Sequence, residues 1–154
     1  MHGERKMHIG NPQEFFRNFP NLDSTPVSFA ITSEATGQYN CIAWAMGDPG
    51  RWWWPSPVSY WPQGCPMEVT IHSFGATFEA LGYSDCPDGR KEEDFEKVAL
   101  YARGDEPTHV ARQLPSGEWT SKIGANVDIE HKLEDLEGPL YGKVVAHFRR
   151  IRNR

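Results

Sequence analysis

The spacing of apolar residues changes character along the chain. Towards the amino end it follows a helical period. Asn11-Pro12 followed by Gln13-Glu14-Phe15-Phe16 predicts a short helix with Pro12 at its first position, where a missing N–H costs nothing. Tyr39-Asn40-Cys41-Ile42-Ala43-Trp44-Ala45-Met46-Gly47 predicts a second over residues 41–46, capped by Asn40 and ended by Gly47. Cys41, Trp44 and Ala45 share one face of it, and so short a helix persists only if that face is packed. A third helix over residues 68–81 aligns Ile71, Phe74, Phe78 and Leu81 and stops at Gly82.

Beyond residue 95 the period drops to two. Residues 96–103, 108–114, 118–123 and 142–151 alternate as strands, and Pro115-Ser116-Gly117 marks a hairpin between the middle two. Residues 1–10 are polar and expected to be loose. Residues 20–37 read as irregular apart from an extended piece at 27–31, residues 84–93 as a polar loop, and residues 130–136 as a loop with one helical turn. Helices followed by strands define an α+β protein: N-terminal helices packed on a four- to five-stranded, largely antiparallel sheet. The 154 residues suit one domain with its core at 38–150.

Composition removes several functional classes. A net charge of -5 gives no electrostatic footprint for a nucleic acid. Arg149, Arg150, Arg152 and Arg154 read as a solvated, charged tail. No apolar run is long enough to cross a membrane, and the opening residues lack the apolar centre of a signal peptide, so a cytoplasmic protein without a membrane partner is expected. Three cysteines, Cys41, Cys65 and Cys86, are an odd number and read as free thiols, with a Cys65–Cys86 pairing left open. A metal reading would gather Cys41, His109, Asp128 and His131, but no C-x-x-C or H-x-x-x-H spacing is present. There is no glycine-rich phosphate loop and no G-x-S-x-G, and no metal or cofactor is expected.

One pair of residues carries chemistry. A thiol becomes a strong nucleophile as the thiolate, which a helix N-terminus or a nearby imidazolium favours. Cys41 stands at the first turn of its predicted helix, where exposed amides also suit an oxyanion. His109 lies on the strand at 108–114, on the face of Ala111 and Gln113, and meets the thiol if the Cys41 helix packs on that face. A nucleophile–base pair needs a third group to orient the imidazole. Ser121, on the side of Trp119 and Ile123, is the candidate; Asp128 and His131 are alternatives in the loop beyond. Gln38 and Tyr39 are candidate donors to an oxyanion.

Residues 48–66 are dense in proline and tryptophan, and Pro55, Pro57, Pro62 and Pro66 exclude regular structure there. Trp52, Trp53, Trp54 and Trp61 are candidate walls of a substrate cleft. The plainer reading folds at least two of these indoles into a small core.

The order of elements resembles the papain-like superfamily, and most closely its small NlpC-type branch. The features are a helix-borne cysteine, a second helix, a strand, a histidine-bearing strand, a hairpin and a further strand, over about residues 38–150. The resemblance implies an amide-cleaving thiol hydrolase with Cys41 as nucleophile, His109 as base and Ser121 as the third residue, acting on a peptide or small amide. The branch usually carries Asp-Cys-Ser-Gly where this chain has Asn40-Cys41-Ile42-Ala43, and His, Asn or Asp at the third position where it has Ser121. The block Asn40 to Ala45, with His109 and Trp119-Thr120-Ser121-Lys122, is also similar to bacterial proteins without an assigned activity. The contrasting expectation is a non-catalytic ligand- or protein-binding domain on the same frame.

Overall fold

The computed structural model describes residues 11–23 and 29–152. The loose segment expected at 1–10, the start of the extended piece at 27–31 and Arg154 lie outside the described residues. Asn11 accepts the N–H of Glu14 and opens α1 (Pro12–Asn18), whose Pro12 stands in the first turn. A four-residue helix, α2 (Pro20–Asp23), follows where the sequence reads as irregular. Asn40 caps α3 (Cys41–Ala45), and Thr70 caps α4 (Ile71–Ala80) by accepting the N–H of Ser73. Helices α1, α3 and α4 therefore start at side chains that satisfy their own first-turn amides.

The strands are β1 (Ala30–Ser33), β2 (Ser84–Cys86), β3 (Phe95–Arg103), β4 (Glu106–Gln113), β5 (Trp119–Lys122), β6 (Asp128–His131) and β7 (Lys143–Ile151). They form one sheet in the order β1-β6-β5-β4-β3-β7-β2, and every pairing between them is antiparallel. The α+β architecture is as expected, but the sheet has seven strands rather than four or five. β2 forms inside the expected polar loop at 84–93. β6 forms where Asp128 and His131 read as loop, because their polar side chains find partners only once the sheet is assembled. A 3-10 turn (Leu133–Leu136) then replaces the helical turn expected at 130–136.

Both faces of the sheet are covered. Val98, Leu100, Val110 and Phe148 meet α3, α4 and the tryptophan loop on one side. Ala99, Tyr101, Ala111, Trp119 and Ile129 meet Phe15, Phe19 and Leu22 on the other. Arg149, Arg150 and Arg152 are not part of a solvated tail. Arg149 pairs with Glu92, Arg150 bonds Glu96 and the Leu81 carbonyl, and Arg152 bonds the Phe95 carbonyl. β7 brings these cations beside acids that are distant in sequence. Among the described residues no helix is long and apolar enough to cross a membrane.

Two irregularities shape the middle of the sheet. β4 shifts register against β3 between His109 and Pro107, so Thr108 bulges out; Pro107, which has no N–H to give the ladder, belongs at such a break. β4 and β5 pair only at Arg112–Thr120 and Gln113–Trp119, and no ladder pairing continues towards His109.

Candidate functional site

Asn40 does more than cap α3. Its Oδ1 accepts the N–H groups of both Ala43 and Trp53, at 3.2 and 3.1 Å, and its amide donates to the Trp53 carbonyl at 2.7 Å. The tryptophan loop is thus tied to the start of the helix that carries Cys41. On the sheet side, Trp44 Nε1 donates to Thr120 Oγ1 at 3.0 Å and Arg112 Nε donates to the Trp44 carbonyl at 3.3 Å. These contacts place α3 on the face of Val110, Arg112 and Thr120. This is the opposite face from the one expected, since His109 alternates with Val110. The apolar side of α3 follows the larger hydrophobic cluster, in which Cys41 and Val110 both belong.

Cys41 is 8% exposed. Burial pushes its thiol up to about 11, against opposing pulls from the N–H groups of Val110, Ile42 and Cys41 itself and from Lys122. The sulfur therefore lies against the backbone amide of the residue that follows His109, and at neutral pH it is a thiol.

On the other face, His109, Ser121 and His131 form a buried chain. His109 Nε2 and Ser121 Oγ are 2.9 Å apart, and His131 Nε2 and the same Oγ are 2.6 Å apart. His131 Nδ1 donates to the Lys132 carbonyl at 2.7 Å. Burial holds His109 well below the ordinary histidine range, helped by His131, and lowers His131 to about 4. Both rings are neutral at neutral pH. Tyr141 stacks on His109 with ring centres 4.2 Å apart and planes 9° from parallel, while Tyr101 meets it edge-on. No hydrogen bond joins Cys41 to His109. His109 Nδ1 is one of two buried side-chain polar atoms without a partner among the described residues, the other being Asp128 Oδ1.

The structure brings Ser121 to His109, as expected, and adds His131 behind it. Asp128 does not join them. Its Oδ2 accepts the Tyr39 hydroxyl at 2.7 Å, and this occupies the donor that Tyr39 was expected to offer an oxyanion. Gln38 is exposed. Trp53 and Trp61 are buried, with their indole N–H groups donating to Asp48 and the Pro66 carbonyl. Trp54 packs edge-on against Phe74, which leaves Trp52 as the exposed ring of the four. The loop thus serves chiefly as core, because each buried indole finds an acceptor within a few residues. Cys65 and Cys86 are free thiols and do not pair. Among the described residues no group of three His, Cys, Asp or Glu side chains could hold a metal ion.

Two residues of the site escape a sequence reading. Lys122 is fully buried and donates to the carbonyls of Thr36, Gly124 and Asn126 at 2.7, 2.6 and 2.8 Å. Tyr141 covers His109 and also lines a cavity of about 380 Å³ with Phe15, Phe19, Ile123 and Leu140. A lysine on a strand and a tyrosine in a glycine-rich turn carry no signal of these roles.

Fold and site together define an α+β protein in which a helix on one face of an antiparallel sheet brings a buried cysteine to the Val110 amide and near Tyr141, the ring that stacks on the histidine–serine–histidine chain of the other face. Residues 30–149 match the family described as a domain of unknown function, DUF7689, and the chain belongs to that family. No curated protein and no solved structure matches it.

Proposed function

We propose that the protein is a thiol hydrolase that cleaves an amide bond of a peptide or small amide, on a papain-like frame of the NlpC type. The observation that carries this reading is the state of His109. Its Nε2 is held by Ser121, while Nδ1 is buried and unpartnered, and Tyr141, which stacks on the ring, also lies within electrostatic reach of Cys41. A buried acceptor without a partner is uncommon and calls for a reason; a base waiting for the nucleophile's proton supplies one. With the short edge strand β2 as an addition between α4 and β3, the order α3, α4, β3, β4, β5 also resembles the papain-like sequence of elements.

The resting pair is a neutral thiol and a neutral imidazole, so deprotonation accompanies attack. The Cys41 sulfur bonds to the substrate carbonyl carbon as its proton passes to His109 Nδ1. His109 returns that proton to the leaving nitrogen as the C–N bond breaks. Water, deprotonated by His109, then releases the acid and restores the thiol. Substrate approaches His109 by displacing Tyr141 from its stack, with the cavity beside Tyr141 receiving the chain.

The test uses p-nitrophenyl acetate as an acyl donor. A burst of nitrophenol with acetyl on Cys41, found by peptide mass spectrometry and slowed by about 100-fold or more in His109→Ala, is the expected result. Acetylation confined to Cys65 or Cys86, or an undiminished rate at Cys41 without His109, would overturn it. A second reading, a non-catalytic binding domain on the same frame, is favoured by the buried thiol and the absent Cys41–His109 hydrogen bond. It predicts no acyl-enzyme at all, and a Cys41→Ser protein that keeps its ligand binding while losing some stability, because a hydroxyl replaces an apolar thiol in the core.

A further inference from the structure

A serine hydroxyl is an ambiguous partner for a catalytic histidine. It can accept from Nε2–H, which leaves Nδ1 as a base, or donate to a bare Nε2, which puts the proton on Nδ1 and blocks that role. Ser121 alone cannot choose between these. The structure supplies what chooses. The Lys132 carbonyl has no hydrogen to give, so the 2.7 Å contact requires a proton on His131 Nδ1. With the ring neutral, His131 Nε2 is a lone pair, and its 2.6 Å contact takes the single hydrogen of Ser121. The Ser121 oxygen is then an acceptor only, and its 2.9 Å contact with His109 requires a proton on His109 Nε2. His109 is neutral as well, so its Nδ1 is bare, and no donor of the described residues occupies it.

We infer that His131 is a positioning residue: acting through Ser121, it holds His109 in the Nε2–H tautomer and keeps Nδ1 open to the Cys41 proton. The chain reads Lys132 carbonyl, His131, Ser121, His109, with every donor pointing towards Lys132. All three side chains are at most 1% exposed, so water does not scramble this direction. Hydrogen bonds aligned head to tail polarise one another, which strengthens the last of them. The catalytic part of the inference rests on the hydrolase reading above; the tautomer part does not.

The test is long-range proton–nitrogen NMR on protein with 15N-labelled histidine, together with the rate of Cys41 acetylation. In the parent protein His131 is expected as a single Nδ1–H tautomer and His109 as a single Nε2–H tautomer. His131→Phe removes the acceptor behind Ser121. His109 then populates the Nδ1–H form, and acetylation slows about 10- to 100-fold, as for other orienting partners. His131→Gln, whose amide oxygen stands near the lost Nε2, restores both readouts to within about threefold. Should the phenylalanine variant not fold, Ser121→Ala serves instead: His131 keeps its Nδ1–H form while His109 loses its single tautomer. An Nδ1–H tautomer on His109 in the parent, or an unchanged Nε2–H signal in His131→Phe, overturns the inference. If the tautomers are as stated but Cys41 is never acetylated, the hydrolase reading fails and the tautomer assignment stands.

Discussion

A buried histidine is held neutral at a cost that pH reveals. His131 is nearly solvent-free, and burial lowers it from 6.5 to about 4. Between those values the unfolded chain binds a proton that the folded protein refuses, so stability is complete above about 6.5 and declines as pH falls towards 4. The depression corresponds to a loss of about 3 kcal/mol once both values are passed. His109, lowered in the same direction, extends the decline to more acid solution. Urea unfolding across this range is therefore expected to show a steep acid limb that becomes shallower in His131→Gln. An unchanged limb in that variant would show that His131 is not the buried neutral group described above. At this scale the sequence is partly legible: residue type and position single out Cys41, His109 and Ser121, whereas His131 is one of two alternatives and nothing in the pattern marks Lys122.

Short elements in this chain depend on what their caps also hold. Asn11 and Asn40 are the same residue in the same capping role, each accepting from the third amide of its helix at 3.2 Å. Asn11 is exposed, whereas Asn40 is buried and also bonds both polar groups of the Trp53 backbone. Asn11→Ala is expected to cost about 1 kcal/mol, the usual value for a lost cap. Asn40→Ala adds the penalty of leaving buried Trp53 groups unsatisfied, for a total of about 2–4 kcal/mol in chemical denaturation. Equal costs for the two variants would mean that the tie to the tryptophan loop contributes nothing. Both caps were legible from the sequence, because capping is decided within three residues. The tie was not, since Asn40 and Trp53 are joined by a loop whose path only packing decides. Strand β6 escaped for a related reason: of Asp128, Ile129, Glu130 and His131, only Ile129 offers an apolar side chain to a pattern search.

For the molecule as a whole, the decisive fact is a sheet covered on both faces. Every residue of β5 is buried, although Thr120, Ser121 and Lys122 are polar. Each has a partner from another part of the chain: Trp44, the two histidines, and three loop carbonyls. Lys122 ties the turn at 124–126 to Thr36 in the segment before α3, so its loss is felt beyond its own strand. Lys122→Met leaves three half-buried carbonyls without their donor and is expected to destabilise the fold by about 3 kcal/mol, measured by urea titration. A change below about 1 kcal/mol would show that water replaces the ammonium.

What the amino-acid sequence determined by itself is what neighbours along the chain decide. The caps at Asn11 and Asn40, the stripe of Ile71, Phe74 and Phe78, the hairpin at 115–117 and the order of helices before strands all follow from contacts within a few residues. These suffice for the α+β class and for most of the element boundaries. The tertiary structure alone decided which face α3 covers, how many strands join the sheet, and what stands behind Ser121. Apolar surface is non-directional, so α3 takes the side with the larger cluster whichever residue the strand turns towards it. A buried hydroxyl is directional but undecided until a second acceptor is fixed beside it, and that acceptor, His131, reaches Ser121 only through the pairing of β6 with β5.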